Sequence, residues 1–483
     1  MTRDLVLVFD AGGGGGRAVI YDAHGERLAG AVRPWQAFAP PTLAPFGREY
    51  DPAVLRVAFE ASVREAVQQV EASRIGAIAC TGQRIACVWV DEGGEVLYAG
   101  PNGDVRALTE PNLDGLDDDE AYARTGRFPP FLFAPGRLRW FASSAPEVFG
   151  RIRHVLGLPN WFAFELTGIA GVDATIAADL MMLDVPGRTR APTRCGGLPD
   201  EVWPALSAPW DTLGELRADA GHRVGLPPGI PVAVGCADTA AALPFSGADT
   251  LVAGSSAPML RRVDAPLRDP KGRLWLDPHV HPGDWCLEAN LGEMGAAHRW
   301  LANLIGATPF DAFDALASEA PLGCRGASSH LGPRAMDLRA LNTGRPAALL
   351  MPFGETTLTE AAGRAELARA HIESCAFAAR AGRAWLDALA PRADAMHLLG
   401  GSARSPFFAD VLASVLESPV FRGPEDATRR GAAACALVAS GAAASWDDAV
   451  AVCSREPTRH EPSDDYEDAY ERWLEREEGL EEM

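Results

Sequence analysis

Leu5-Val6-Leu7-Val8-Phe9-Asp10-Ala11-Gly12-Gly13-Gly14-Gly15-Gly16-Arg17-Ala18-Val19-Ile20-Tyr21 is the stretch that decides the fold class. Residues 5–9 form a continuous apolar run, the pattern of a strand buried on both faces. Asp10 is expected to end that strand. Residues 12–16 supply five glycines, and residues 17–21 read as a returning strand. The unit is therefore strand, glycine loop, strand. Rossmann and P-loop nucleotide sites place a helix after their glycines, so neither fits.

A related pattern is expected in the second half. Residues 230–234 read as a short strand ending at Gly235, and residues 250–253 as another. A turn, Gly254-Ser255-Ser256, leads into a further strand over 257–263. The recurrence suggests a duplicated fold with two phosphate loops. Residues 51–72 read as a helix capped by Asp51, with Pro52 in its first turn and Val54, Val57, Ala58 and Ala61 at helical spacing. Strands are expected at 75–80 and 86–90. Helices are expected over 146–167, 365–389, 405–416 and 464–482, the last docked by Tyr466, Tyr470 and Trp473. Residues 187–209 read as a loop rich in Pro and Gly.

The chain has 483 residues and a net charge of -21. Its length fits two domains. Its acidity argues against a nucleic-acid partner, because a phosphate backbone selects basic surfaces. It leaves room for a nucleotide, which needs only a local cradle. Lys271 is the one lysine, so positive charge is almost wholly arginine. Nine scattered cysteines without a CxxC pair suit a reduced cytoplasmic protein with no zinc site. No run approaches the roughly 18 apolar residues of a membrane span, and no membrane association is expected.

Five groups of residues offer chemistry. Glycines 12–16 let backbone N–H groups approach phosphate oxygens, and Asp10 is placed to hold a magnesium ion. A flexible hairpin turn is the plainer reading of such a run taken alone. Asp238, in Gly235-Cys236-Ala237-Asp238-Thr239-Ala240, has small neighbours that admit a substrate to its carboxylate. The same residue also reads as a helix N-cap. Asn102, Asp104 and Arg106, like Gln83 and Arg84, alternate donors and acceptors in a way that suits a polyhydroxylated ligand or an ordinary surface loop. The run Leu398-Leu399-Gly400-Gly401-Ser402-Ala403-Arg404-Ser405-Pro406 gives a strand, a glycine turn and a helix start, open to a purine lying flat or to a plain connection. His279 and His281 have no third ligand in sequence and receive no role.

Together these segments resemble one family, the FGGY carbohydrate kinases. The resemblance rests on the shared order of residues 10–17, Thr81-Gly82-Gln83-Arg84, Asp104-x-Arg106, Gly235-x-x-Asp238-Thr239-Ala240, residues 254–256 and residues 400–405. The segment 425–433 resembles the family's late helix. The resemblance implies an α/β protein of two RNase H-like, actin-like domains with a ligand cleft between them, here 1–235 and 236–483. The first would carry the sugar site and one phosphate loop. The second would carry the catalytic aspartate, the other loop and the nucleotide site.

By position, Asp238 matches the catalytic base and Asp10 the metal-associated aspartate. Gln83, Arg84, Asp104, Arg106 and Asp238 match the sugar site. Gly12, Gly13, Gly14, Arg17, Gly254, Ser255, Ser256, Gly400, Gly401 and Ser402 match the ATP site. ATP and Mg2+ are the implied cofactors, and a homodimer is compatible with the resemblance. The implied reaction is ATP-dependent phosphorylation of a ketose such as xylulose. The alternatives are a 6-deoxyketose, glycerol, an autoinducer-2-like polyol, or a weakly catalytic regulator binding sugar or nucleotide. An actin-like ATPase with a protein partner is a third class, opposed by the polar Asp104 and Arg106 pair.

The sequence departs from the family pattern at three places. Glycines replace the hydroxyl residues usual in the first loop. Asn102 stands where an aromatic residue is common. The segment after Gly354-Glu355-Thr356-Thr357 is short.

Overall fold

The apolar run at 5–9 forms a strand longer than the run itself. In the computed structural model it spans Leu5–Gly12 (β1) and takes in Asp10 instead of ending there. Its antiparallel partner is Gly15–Asp22 (β2), with Gly12 opposite Gly15. The expected five-glycine loop is therefore a two-residue hairpin turn, Gly13 and Gly14. Sterics explain the remaining glycines. A Cβ on Gly16 would lie 2.5 Å from the Phe9 ring and 2.7 Å from Trp35. One on Gly15 would lie 2.7 Å from the Arg33 carbonyl oxygen. A Cβ on Gly14 would meet nothing within 4 Å.

The structure describes residues 3–110, 113–117, 119–191, 198–342, 344–352 and 360–483. They form two compact units. The first holds the residues up to Phe245, with Asp277–Asp284 and Ala427–Ser454; the second holds Ser246–Leu276, Trp285–Asp426 and Arg455–Met483. The division falls after Phe245, not after 235. The helix Asp238–Ala242 packs on the helix Ala427–Ala439 so closely that a Cβ on Gly431 would come 1.8 Å from the Ala241 carbonyl oxygen.

In the first unit the sheet is completed by Arg27–Pro34 (β3), Ile75–Gly82 (β4), Thr212–Glu215 (β5), Pro231–Ala233 (β6) and Cys236–Ala237 (β7). The order is β5-β6-β4-β1-β2-β3, with β7 also on β4. β4 runs parallel to β1, and β2 and β3 return antiparallel. One sheet face packs Leu7 and Phe9 against Phe59 and Phe162 of the helices Pro52–Val67 and Leu158–Thr167. The other packs Val6, Val8, Val19 and Tyr21 against Ala427–Ala439 and Trp446–Cys453.

Asp51 caps the helix Pro52–Val67 as expected, accepting from the Ala53 N–H at 2.8 Å. Its buried stripe is Leu55, Phe59, Val63 and Ala66, whereas Val54 and Val57 are exposed. The larger side chains at i, i+4 spacing set the phase and override the valines. The helix expected over 146–167 is broken by a strand, His154–Gly157, between Pro146–Phe149 and Leu158–Thr167.

The second unit repeats the topology. Asp249–Val252 (β8), Pro258–Val263 (β9) and Trp285–Asn290 (β10) form an antiparallel meander. Met396–Leu399 (β11) and Val420–Arg422 (β12) continue parallel to β8, and Thr458–His460 (β13) closes that side antiparallel. The counterpart of the β1–β2 hairpin is thus β8–β9. The 230–234 strand, read above as the start of the second repeat, belongs to the first sheet as β6. The long helix runs Glu360–Asp387, and Ser405 caps Pro406–Leu416. In Glu467–Glu481, Trp473 is buried and its Nε1 donates to Ser374 Oγ at 3.1 Å. Residues 354–357 lie outside the described residues.

The glycine contacts give a paired expectation for unfolding by urea. Gly431→Ala should lose about 2 kcal/mol or more, because the obstructing atom is backbone and cannot rotate away. Gly479→Ala, whose Cβ meets nothing within 4 Å in a helix, should gain up to about 1 kcal/mol.

Candidate active site

Strand ends supply the polar residues of the first unit. Asp10 lies opposite Arg17 on β2 and beside Thr81 on β4. Its Oδ2 is 3.8 Å from Arg17 Nη1 and 3.4 Å from Arg429 Nη1. Thr81 Oγ1 donates to the Cys236 carbonyl at 2.8 Å, tying β4 to the segment that leads into Asp238. Gly235 makes that approach possible. Its φ is +77°, and a Cβ there would sit 2.0 Å from the Cys80 carbonyl oxygen.

Asp238 opens the helix Asp238–Ala242, and its Oδ1 accepts from the Thr239 N–H at 2.7 Å. The bond is to the next residue, so Asp238 is the first helical residue and not the N-cap, a position held by Ala237. The residue keeps some contact with solvent, but its carboxyl lies deep enough for desolvation to dominate. Burial pushes the carboxyl up to about 6; Arg84 pulls it down and the Asp10 carboxylate pushes it up. A carboxylate in that range can both hold and release a proton near neutral pH.

Gln83 follows β4. Its Nε2 donates to Asn102 Oδ1 at 2.7 Å, and its Oε1 accepts from Tyr50 Oη at 3.0 Å. Asn102 is thus joined to Gln83 as one polar surface. After Arg84 the backbone turns through Ile85 at φ +66°, a left-handed conformation that costs a β-branched residue about 1–2 kcal/mol. Arg137 Nη1, donating to the Ile85 carbonyl at 3.2 Å, helps hold it.

Asp104 and Arg106 are placed differently from surface loop residues: both are buried. Arg106 Nε donates to Asp104 Oδ2 at 2.8 Å, and Nη2 to Glu49 Oε1 at 2.7 Å. Tyr98 Oη also bonds Asp104 Oδ2, while Asp104 Oδ1 accepts from the Arg48 and Arg106 N–H groups. The guanidinium lies over the Tyr98 and Trp140 rings, 4.7 and 5.0 Å from their centroids. The pair is a braced ionic element behind Gly103 and Asn102. Trp35, Glu49 and Tyr50 carry no motif and are missed by sequence reasoning, and Arg429, though within 425–433, receives no role there.

In the second unit the two glycine turns come together because β8 and β11 are parallel neighbours. The Ala253 N–H donates to the Leu399 carbonyl at 2.8 Å, and the Ser402 N–H to the Ala253 carbonyl at 3.0 Å. Gly400 has φ +88°, and its Cβ would lie 2.9 Å from that carbonyl. The Gly295 N–H reaches the Gly254 carbonyl at 3.1 Å, bringing the helix Met294–Leu304 onto the 254–256 turn. Nearby, Ser402, Ser405, Met294, Asp314 and Phe408 line a cavity with His298. The His298 ring stacks on Phe310 at 4.3 Å, and burial lowers its pKa to about 4, so the ring is neutral. No helix among the described residues is long and apolar enough to cross a membrane.

Residues 5–244 match the N-terminal domain of the FGGY family of carbohydrate kinases, and residues 250–440 match its C-terminal domain. The chain belongs to this family. It is 26% identical to an autoinducer-2 kinase of Salmonella typhimurium over 502 residues, covering 97% of this chain and 93% of the relative. A xylulose kinase structure from Rhodospirillum rubrum superposes with TM-score 0.79 at 26% identity, covering 99% and 98%. A ligand-bound xylulose kinase from Lactobacillus acidophilus gives TM-score 0.83 at 19% identity over 99% and 98%, a likeness of fold. The protein is thus a sugar kinase phosphotransferase with two actin-like domains.

The raised Asp238 carboxyl has a sign that stability measurements can read. Its ordinary value is 3.8. Below that both folded and unfolded chains hold the proton. As pH rises from about 4 to 6 the unfolded chain ionises first, so the folded state loses ground; above about 6 the deficit is complete. Asp238→Asn should therefore resist denaturant better than the wild type at pH 8, with the gap closing toward pH 4.

Proposed function

We propose that the protein transfers the γ-phosphoryl group of ATP to a hydroxyl of a small sugar or polyol. Asp238 accepts the proton of that hydroxyl, the freed oxygen bonds to the γ-phosphorus, and the bond from phosphorus to the β–γ bridging oxygen breaks to release ADP. The observation that supports this reading is the Asp238 carboxyl, raised to about 6 at the start of a helix. Gln83, Arg84 and Asn102 would contact acceptor hydroxyls. Asp104 and Arg106 would act from behind them, keeping the loop in place.

Gly12, Gly13, Gly14 and Arg17 in the first unit are proposed to bind ATP. Gly254, Ser255, Ser256, Gly400, Gly401 and Ser402 are proposed likewise in the second, with adenine against the His298 cavity. Asp10 suits magnesium. Its contacts to Arg17 and Arg429 are loose and both fall on Oδ2. Among the described residues no three metal-binding side chains converge, so phosphates and water would fill the other positions, as magnesium prefers. Bound there, the ion would offset phosphate charge. The eight described cysteines are free thiols, in keeping with a cytoplasmic setting.

For the acceptor we favour a ketose of the xylulose type. The second reading is an autoinducer-2-like polyol, supported by the Salmonella relative and by the polar Gln83–Asn102 surface. ADP release measured across xylulose, other ketoses, glycerol and autoinducer-2 separates them. Asp238→Asn should lose at least about a hundredfold in kcat, the scale of general base catalysis. For the wild type, kcat/KM should fall about tenfold per unit below pH 6 as the base protonates. An Asn variant with full activity would remove Asp238 from the mechanism, and nucleotide binding without turnover of any acceptor would favour a regulator.

A further inference from the structure

The bare glycine turn is gripped from outside. Gly12, Gly13 and Gly14 each present a carbonyl, and each carbonyl has a donor within hydrogen-bond distance. Trp35 Nε1 donates to the Gly12 oxygen at 3.1 Å. Tyr50 Oη donates to the Gly13 oxygen at 3.1 Å. The Trp35 backbone N–H donates to the Gly14 oxygen at 3.3 Å. The two donor side chains are themselves fixed. Trp35 is buried with its ring stacked 6.2 Å from Phe162, and Phe162 packs on Phe9 at 4.7 Å. Tyr50 is buried, with its backbone N–H on the Ala99 carbonyl at 2.8 Å.

Peptide planarity gives this grip a direction. In a trans peptide the C=O of one residue and the N–H of the next point to opposite sides. Holding the Gly12 and Gly13 carbonyls toward Trp35 and Tyr50 turns the Gly13 and Gly14 N–H groups away from them. Those two residues are exposed, whereas Gly15 and Gly16 are buried. A free glycine turn samples many orientations and loses more entropy than any other residue when it orders around a ligand. With three carbonyls fixed, much of that ordering is complete before a phosphate arrives.

We infer that Trp35 and Tyr50 are positioning residues for the first phosphate turn: they clamp its carbonyls so that the Gly13 and Gly14 amides stay presented to phosphate oxygens, replacing hydroxyl side chains the turn lacks. This rests on the proposed nucleotide site, because the ligand is taken to be the polyphosphate of ATP. Tyr50 burial pushes its phenol far up, so the hydroxyl keeps its proton throughout the physiological range. That single hydrogen has two acceptors, Gly13 O and Gln83 Oε1.

The test compares an imido-bridged ATP analogue with adenosine, each binding to the full-length protein in calorimetry with magnesium present. Tyr50→Phe keeps the ring and removes the hydroxyl. It should weaken the analogue about three- to tenfold, the value of one hydrogen bond, and leave adenosine unchanged. Trp35→Phe should act in the same direction if Tyr50→Phe proves hard to produce. Loss of both ligands in parallel would mark general destabilisation, and unchanged analogue affinity in both variants would remove the clamp; either result overturns the inference. Wild-type protein that binds neither ligand would instead sink the nucleotide site itself. No acceptor sugar is needed, so a wrong choice of substrate leaves the test intact.

Discussion

Three strand ends in the first unit meet more closely than side chains allow, and the candidate chemistry depends on that approach. β1, β4 and β7 run side by side with Gly82 against the Ala11 carbonyl, where a Cβ would fall at 2.6 Å, and with Gly235 against the Cys80 carbonyl. The Thr81 hydroxyl fastens the third strand to the second. Asp10, Gln83 and Asp238 hang from these three ends. The backbones touch, and Asp10 is near enough to push the Asp238 proton affinity upward. Neither burial alone nor a motif alone would give that coupling.

The second unit obeys the same rule with different residues. β8 and β11 lie parallel, and Gly400 and Gly295 let the following turns close on Ala253 and Gly254. The two sheets share a meander of three antiparallel strands followed by parallel ones. What differs is the dressing of the turns. The second unit keeps serines at 255, 256 and 402, whereas the first is bare glycine held from behind by an indole and a phenol.

Much of this was legible in the sequence, in proportion to how local the cause was. The strand at 5–9, the Asp51 cap and the helix starting at Asp238 follow from neighbours in the chain. Asp10 as a strand-internal residue did not, because the ladder to Arg17 and Thr81 carries β1 beyond its apolar run. The five glycines looked alike but have unlike reasons, which only the positions of Phe9, Trp35 and Arg33 reveal. Asp104 and Arg106 were readable as a polar pair, yet their burial comes from Glu49, Tyr98 and Trp140. Arg429 reaches Asp10 across 419 positions of sequence, a separation at which pattern carries no information.

The segment Ala427–Ser454 has a consequence for how the molecule is made. It is the cover for the sheet face formed by Val6, Val8, Val19 and Tyr21, residues made long before it. That face waits for this cover until the more than 400 residues between Tyr21 and Ala427 have been translated. Synthesis rate, chaperone supply and premature termination therefore bear on the first unit, whose parts lie between Leu5 and Ser454, more than on the second, whose parts lie between Ser246 and Met483. The two halves look like duplicates in topology, but they are unequal in time.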